Sequence, residues 1–234
     1  MIEEHRKWYS HNLGFEVDML VFGDRGRPVI LFPTSNGRYY QNKDHGLIEA
    51  VSWFVNEGLV RVYCPDSYDW LCWYNKSLHP AERARNYNFY DKMLHEELIP
   101  WATLETGNSK AIMAGCSFGG YHAANFAFKH PEQVSHVFPM GGIFDIRGQT
   151  DGFYNDDIYY NNPVDFLPGS NQPDLWQMGI ALGTAEFDIC LSSNQTISTI
   201  LHNKNINHWL DVRAGETHDW PVWKAQFPHY LSTI

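Results

Sequence analysis

The chain reads as an α/β protein, a three-layer sandwich with a mostly parallel central sheet and helices on both faces. Three observations predict this. Short apolar runs rich in Val, Ile and Phe alternate with longer stretches of helical periodicity, the pattern of a parallel sheet covered on both sides. The 234 residues are 44% hydrophobic and 19% charged, which supplies a sizeable core, and one domain spanning 1–234 is expected. No internal repeat, low-complexity tract or linker-like run divides the chain.

Taken in order, Phe15 to Phe22 alternates as a strand, Asp24-Arg25-Gly26 turns the chain, and Pro28 to Phe32 is an apolar strand. Gly46 to Asn56 is expected to be helical, with Leu47, Val51 and Phe54 on one face, and Val60 to Cys64 returns as a strand. Pro80 suits a first helical position. Tyr87, Tyr90, Leu94, Leu98 and Trp101 then recur at spacings of three and four, which predicts one long helix. Lys110 to Ala114 is a strand, Tyr121 to His130 a helix and Val134 to Met140 a strand. Ile180 to Leu182 gives a further strand, Cys190 to Asn203 a helix, His208 to Val212 a strand and Asp219 to Leu231 a final helix. In such sheets the reactive groups stand just beyond the carboxyl ends of the strands.

Composition excludes some functions. The formal net charge of -10, with no basic run, argues against a nucleic-acid partner. The longest apolar stretches, such as Pro28 to Pro33, are far too short to cross a bilayer, so no membrane association is expected. The start MIEEHRKWYS lacks the basic-then-apolar order of a secretory signal, and a cytoplasmic location is the expectation. Cys64, Cys72, Cys116 and Cys190 show no ligand spacing and read as buried free thiols. His95-Glu96-Glu97-Leu98-Ile99 begins like a zincin helix but has Ile where the second His belongs. No metal or organic cofactor is expected.

One segment raises a sharper question. Gly115-Cys116-Ser117-Phe118-Gly119 places glycines two residues either side of a serine, between a predicted strand and a predicted helix. This is the G-x-S-x-G nucleophile elbow pattern. A strand turning directly into a helix brings the two backbones close, so the flanking positions tolerate little side chain. Ser117 would then hold a sparsely populated backbone conformation at a cost of ~1–3 kcal/mol. A serine hydroxyl needs a base, and the base an orienting acid, in the chain order Ser, acid, His. Of the histidines after Ser117, His122 and His130 lie in the helix that follows it and His202 in a later one. His136 and His208 fall in predicted strands, and His229 lies late in the last helix. His218 alone sits in a loop after a strand. The acid should follow the preceding strand, where Thr184-Ala185-Glu186-Phe187-Asp188 offers two. Asp188 ranks first, Glu186 second, and Asp145, after an earlier strand, third.

From Gly115 onward the chain resembles the putative-esterase family of α/β-hydrolases, which includes feruloyl and other carbohydrate esterases, S-formylglutathione hydrolases and mycolyltransferases. The likeness is carried by GCSFGGYHAANFAFKHPEQ, by GTAEFD and the helix after it, and most specifically by GETHDWPVWKAQFPHYL. It implies an α/β-hydrolase sandwich with Ser117 as nucleophile, His218 as base and Asp188 at the position of the acid, while Glu186 stays open. One oxyanion donor would be the Phe118 N–H. The second would come from Pro33-Thr34-Ser35-Asn36-Gly37, a departure from HGGG-type loops, with Thr34 first and Ser35 next.

The function implied is a serine carboxylesterase acting on a small-molecule ester through an acyl-serine intermediate. The alternatives are an acyltransferase using the same triad and a non-catalytic binding protein on a hydrolase scaffold. Tyr68 to Tyr74 is a dense aromatic cluster that either lines the pocket, favouring an aromatic or sugar moiety, or packs against the long Pro80 helix. Asp151 to Asn162 is expected to drape over the site as an exposed loop.

Overall fold

Successive residues of a strand point to opposite faces, so a fully buried strand must feed two cores at once. The segment β5 (Ala111–Cys116) does this. Ala111 and Met113 enter the larger apolar cluster, beside Tyr87, Tyr90 and Met93 of the helix Pro80–Met93. Ile112, Ala114 and Cys116 enter the smaller one, beside Trp223 and Phe227 of the helix Trp220–Leu231. In the computed structural model, which describes residues 1–234, eight strands form one sheet in the order β1-β2-β4-β3-β5-β6-β7-β8. They are β1 (Glu3–Ser10), β2 (Phe15–Phe22), β3 (Arg27–Phe32), β4 (Val60–Pro65), β5, β6 (Val134–Met140), β7 (Gly179–Phe187) and β8 (Trp209–Thr217). From β4 to β8 every pairing is parallel, whereas β1–β2 and β2–β4 are antiparallel. The expected α/β-hydrolase sandwich is present, and no helix is long and apolar enough to cross a membrane.

Four differences from the sequence reading have physical causes. Strand β1, EEHRKWYS, was not expected, because neither of its faces is a run of core residues; it lies at the sheet edge with charges on its exposed face. The expected helix Gly46–Asn56 is two short ones, Leu47–Ala50 and Ser52–Asn56, broken where Val51 leaves helical geometry at φ −107° and ψ 10°. The break keeps Leu47, Ile48, Val51 and Val55 all buried in the smaller core. The long Pro80 helix widens into a π turn over Leu94–Leu98 before resuming at Ile99–Thr106. Pro100 has no N–H for the carbonyl four residues back, and the wide turn absorbs that defect. Finally, β7 and β8 run past their expected ends, so Asp188 and His218 each follow directly on the last residue of a strand, as Ser117 follows β5.

Part of the aromatic cluster packs against the Pro80 helix, as one of the two expectations had it. Trp73 is fully buried against Tyr87 of the Pro80 helix, and Trp70 is exposed. Tyr74 instead lies edge-on to Phe118 at 5.0 Å, with its hydroxyl donating to Ser35 Oγ at 2.8 Å. The Asp151–Asn162 segment is not the exposed drape expected. Asp151 pairs with Arg83, Asp157 accepts from Asn88 at 2.8 Å, and Ile158, Asn161 and Asn162 are buried. Its contacts are with the Pro80 helix and with the helix Phe118–Lys129, whose Tyr121 and Lys129 donate to Asn161.

Close backbone approach sets the turn after β5. A Cβ on Gly115 would stand 2.3 Å from the Gly119 carbonyl oxygen, and a Cβ on Gly119 would stand 2.3 Å from the Pro33 carbonyl oxygen. Strand, helix and the loop after β3 meet there with no room for a methyl group. Gly119→Ala is therefore expected to lower stability by ~1–3 kcal/mol through forced backbone displacement. Gly148→Ala, where a Cβ meets nothing within 4 Å, should shift it by less than about 0.5 kcal/mol. Urea midpoints of the two variants check this.

Candidate active site

The helix Phe118–Lys129 starts without any connecting loop after β5, so its N-cap must be Ser117 itself. Ser117 has φ 54° and ψ −121°, a region that L-residues rarely occupy, and its N–H donates to the Met140 carbonyl at 2.8 Å. Its hydroxyl stands 2.9 Å from His218 Nε2. On the other side of the ring, His218 Nδ1–H donates to Asp188 Oδ1 at 2.7 Å. The Asp188 side chain is fully buried, Ser117 and His218 are partly exposed, and the Trp223 ring stands edge-on to His218 at 5.0 Å. A hydroxyl within reach of an imidazole that a carboxylate orients can be activated for attack on an electrophilic carbon.

Asp188 is subject to opposing influences. Burial is the largest and disfavours its charge. Against it, the hydrogen bonds from His218 and from the Cys190 N–H, the latter at 2.6 Å, hold the carboxyl below the usual carboxylate range. The other two acids are engaged elsewhere. Glu186 is exposed and accepts the Gly215 N–H at 2.8 Å, and Asp145 binds Arg147 Nε and Nη2 with its two oxygens. Of the three candidate acids, only Asp188 meets His218. Four of the remaining histidines have other partners: His122 is buried against Asp69, His130 bonds Asp91, His136 bonds Arg27 and His208 bonds Ser198.

The oxyanion expectation needs one correction. Phe118 occupies the first helical position, where the fold leaves its N–H without an intrahelical acceptor. The Thr34 N–H, expected as the second donor, points instead at Gln41 Oε1, 2.8 Å away, and the Thr34 hydroxyl is bound to the same amide group. The next residue differs. The turn Thr34–Gly37 is closed by the Gly37 N–H on the Thr34 carbonyl at 2.8 Å, with Asn36 at φ 53°, and the Ser35 N–H makes no hydrogen bond within the protein. Sequence reading placed Thr34 first because it could not see that Gln41, seven residues on, returns to cap it.

Gly141 is a site residue that the sequence reading missed. It has φ 61°, and a Cβ there would lie 2.9 Å from the His218 ring and 3.1 Å from Asp188 Oδ2. Its signal was the Gly141-Gly142 pair directly after the β6 strand. A cavity of about 470 Å³ opens beside Cys190, lined by Ile143, Asp145, Arg147 and Ile189 among others. A second, of about 400 Å³, lies at Lys129 and His130, the far end of the Ser117 helix. Twelve residues at 1.5 Å each put it about 18 Å from Ser117.

Comparison with known proteins follows the same lines. Residues 29–234 match the Esterase family model, described as "Putative esterase". No curated protein sequence matches the chain. Among solved structures, a ferulic acid esterase superposes with a TM-score of 0.79 at 16% identity, covering 99% of this chain and 97% of that one. The fluorophosphonate-binding serine hydrolase F of Staphylococcus aureus gives 0.77 at 15%, covering 99% and 97%. An S-formylglutathione hydrolase from Agrobacterium tumefaciens gives 0.78 at 14%, covering 99% and 93%. Identities this low show a shared fold.

The depressed Asp188 carboxyl has a consequence for stability. A carboxyl whose folded value lies below its unfolded value of about 3.9 stabilises the fold above that pH and loses the contribution as pH falls through the folded value. Asp188→Asn is thus expected to be less stable than wild type at pH 7, with the gap closing as pH drops below about 4. Denaturant midpoints recorded across that range check it.

Proposed function

This chain belongs to the esterase family and is a carboxylic ester hydrolase, and from that premise we propose that it works as a serine esterase with Ser117 as nucleophile, His218 as base and Asp188 as the orienting acid. The observation that carries the reading is the continuous hydrogen-bonded line from Ser117 Oγ through both His218 nitrogens to Asp188, at 2.9 and 2.7 Å. Ser117 Oγ attacks the ester carbonyl carbon while His218 Nε2 takes its proton. The negative charge that forms on the carbonyl oxygen is held by the N–H groups of Phe118 and Ser35. His218 then gives the proton to the departing alcohol oxygen, leaving an acyl-serine. Water, deprotonated by the same imidazole, attacks that ester and restores Ser117. Asp188 keeps the ring in the tautomer that presents a bare Nε2 to the hydroxyl, and it stabilises the imidazolium as it forms.

The substrate is a small-molecule ester. Tyr74, set against Phe118 and Ser35, brings an aromatic surface to the loop beside Ser117, which supports an aromatic or sugar-bearing ester. The four cysteines are buried and unpaired, as suits a protein of the reducing cytoplasm.

Ser117→Ala and His218→Ala are each expected to lower p-nitrophenyl acetate turnover by at least about 10³-fold, and Ser117→Ala to abolish labelling by a fluorophosphonate probe. A burst of p-nitrophenol with wild-type protein supports the acyl-serine. Ester formation only when an acceptor alcohol is supplied would make the protein a transferase, and neither burst nor labelling would leave a non-catalytic scaffold. The second oxyanion donor has its own test. Ser35 stands second in its turn, where proline fits well, so Ser35→Pro removes chiefly the N–H. It is expected to lose roughly 10²–10³ in kcat, against less than about tenfold for Ser35→Ala.

A further inference from the structure

We propose that the buried pair Asp69–His122 is a positioning device that fixes the two halves of the oxyanion pocket relative to each other. The proposal rests on the serine-esterase reading and deepens it. Both side chains are fully buried, and His122 Nε2–H donates to Asp69 Oδ1 at 2.9 Å. The second carboxylate oxygen, Oδ2, accepts the Asn36 N–H at 2.8 Å. Asp69 therefore grips two elements at once. One is the peptide that joins Ser35 to Asn36, next to the free Ser35 N–H. The other is the helix that begins at Phe118, whose own N–H is the other donor.

The rest of this loop is held by different groups, which isolates what Asp69 does. Asp66 binds Arg38 Nε and the Tyr39 N–H, and Ser67 Oγ donates to the Gly37 carbonyl. The Gln41 side chain holds Thr34. Only the Ser35–Asn36 peptide, with Asn36 at its unfavourable φ of 53°, depends on Asp69. The imidazole is fixed in turn. Its Nδ1 lies 3.1 Å from the Tyr87 hydroxyl, and its ring meets the edge or face of Phe118 and Tyr87 at 5.1 and 5.6 Å. A carboxylate enclosed in a core is costly unless each oxygen is bound, and here the two oxygens are bound by the two elements that carry the donors. An oxyanion donor misplaced by a fraction of an ångström weakens the transition state while leaving ground-state binding nearly intact. Asp69 and His122 touch no substrate; they act through Ser35 and Phe118.

The test measures kcat and KM for p-nitrophenyl acetate, and the rate constant for fluorophosphonate labelling of Ser117, in wild type and in Asp69→Ala, Asp69→Asn and His122→Phe. Each variant is first checked for a cooperative melt. Asp69→Ala is expected to lower kcat and the labelling rate by roughly 10²-fold, with KM within about threefold of wild type. Asp69→Asn, whose amide can accept from Asn36 and donate to the other tautomer of His122, is expected to recover most of the loss. Wild-type kcat in folded Asp69→Ala, or a loss seen only in KM or melting temperature, overturns the proposal. If Asp69→Ala does not fold, His122→Phe carries the same test, and unchanged kcat in it is equally fatal. Absence of turnover and labelling in wild type itself is a separate result; it removes the esterase reading, and the positioning role with it.

Discussion

Everything at the site depends on one steric constraint, the contact of three backbones around Gly115 and Gly119. With no side chain at either glycine, β5 passes straight into a helix and that helix presses on the carbonyl of Pro33. The serine between them is left in a conformation that no ordinary loop would demand. That strain has a use, since it aims the hydroxyl away from the sheet and opens the first turn of the helix toward the same space. The contact with Pro33 also brings the loop after β3 beside the helix start, which is how two distant segments come to lie together.

The three side chains of the candidate site obey a simple positional rule. Ser117, Asp188 and His218 are each the first residue beyond the carboxyl end of a parallel strand, β5, β7 and β8. Parallel strands end along one edge of the sheet, so side chains spread over a hundred positions of sequence collect there without any element reaching far. The register of β6 between β5 and β7 completes the arrangement. Its end, at Met140, accepts the Ser117 N–H, and Gly141 beyond it leaves space for the imidazole and carboxylate to meet.

Much of this was legible in the residues, and the illegible parts have identifiable causes. Alternation located β2, and short apolar runs located β3 to β8, most plainly where a parallel strand is buried on both faces. It did not find β1, whose charges read as surface. G-x-S-x-G located Ser117, and chain order with elimination among histidines led to His218, since only that one followed a strand in a loop. Spacing did not separate Asp188 from Glu186, because Glu186 still belongs to β7 and accepts the Gly215 N–H, whereas Asp188 lies just past its end and meets the imidazole. Thr34 ranked above Ser35 for a similar reason, since a side chain folding back from Gln41 leaves no local trace. The Asp69–His122 pair was invisible, lying 53 positions apart with nothing in the sequence to link the two segments.

The wide turn at Leu94–Leu98 repays a last look, for it amounts to one surplus residue threaded into an otherwise regular helix. Glu97 sits on that turn and accepts from Trp8 Nε1, Ser10 Oγ and both the backbone and side chain of Asn12. These bonds tie the end of β1 and the turn after it to the helix, alongside the pairing of β2 with β4. Removing the surplus residue would swing the carboxylate about 100° around the axis and away from all of these donors. The irregular turn is thus what lets one acidic side chain clasp the amino-terminal edge of the sheet.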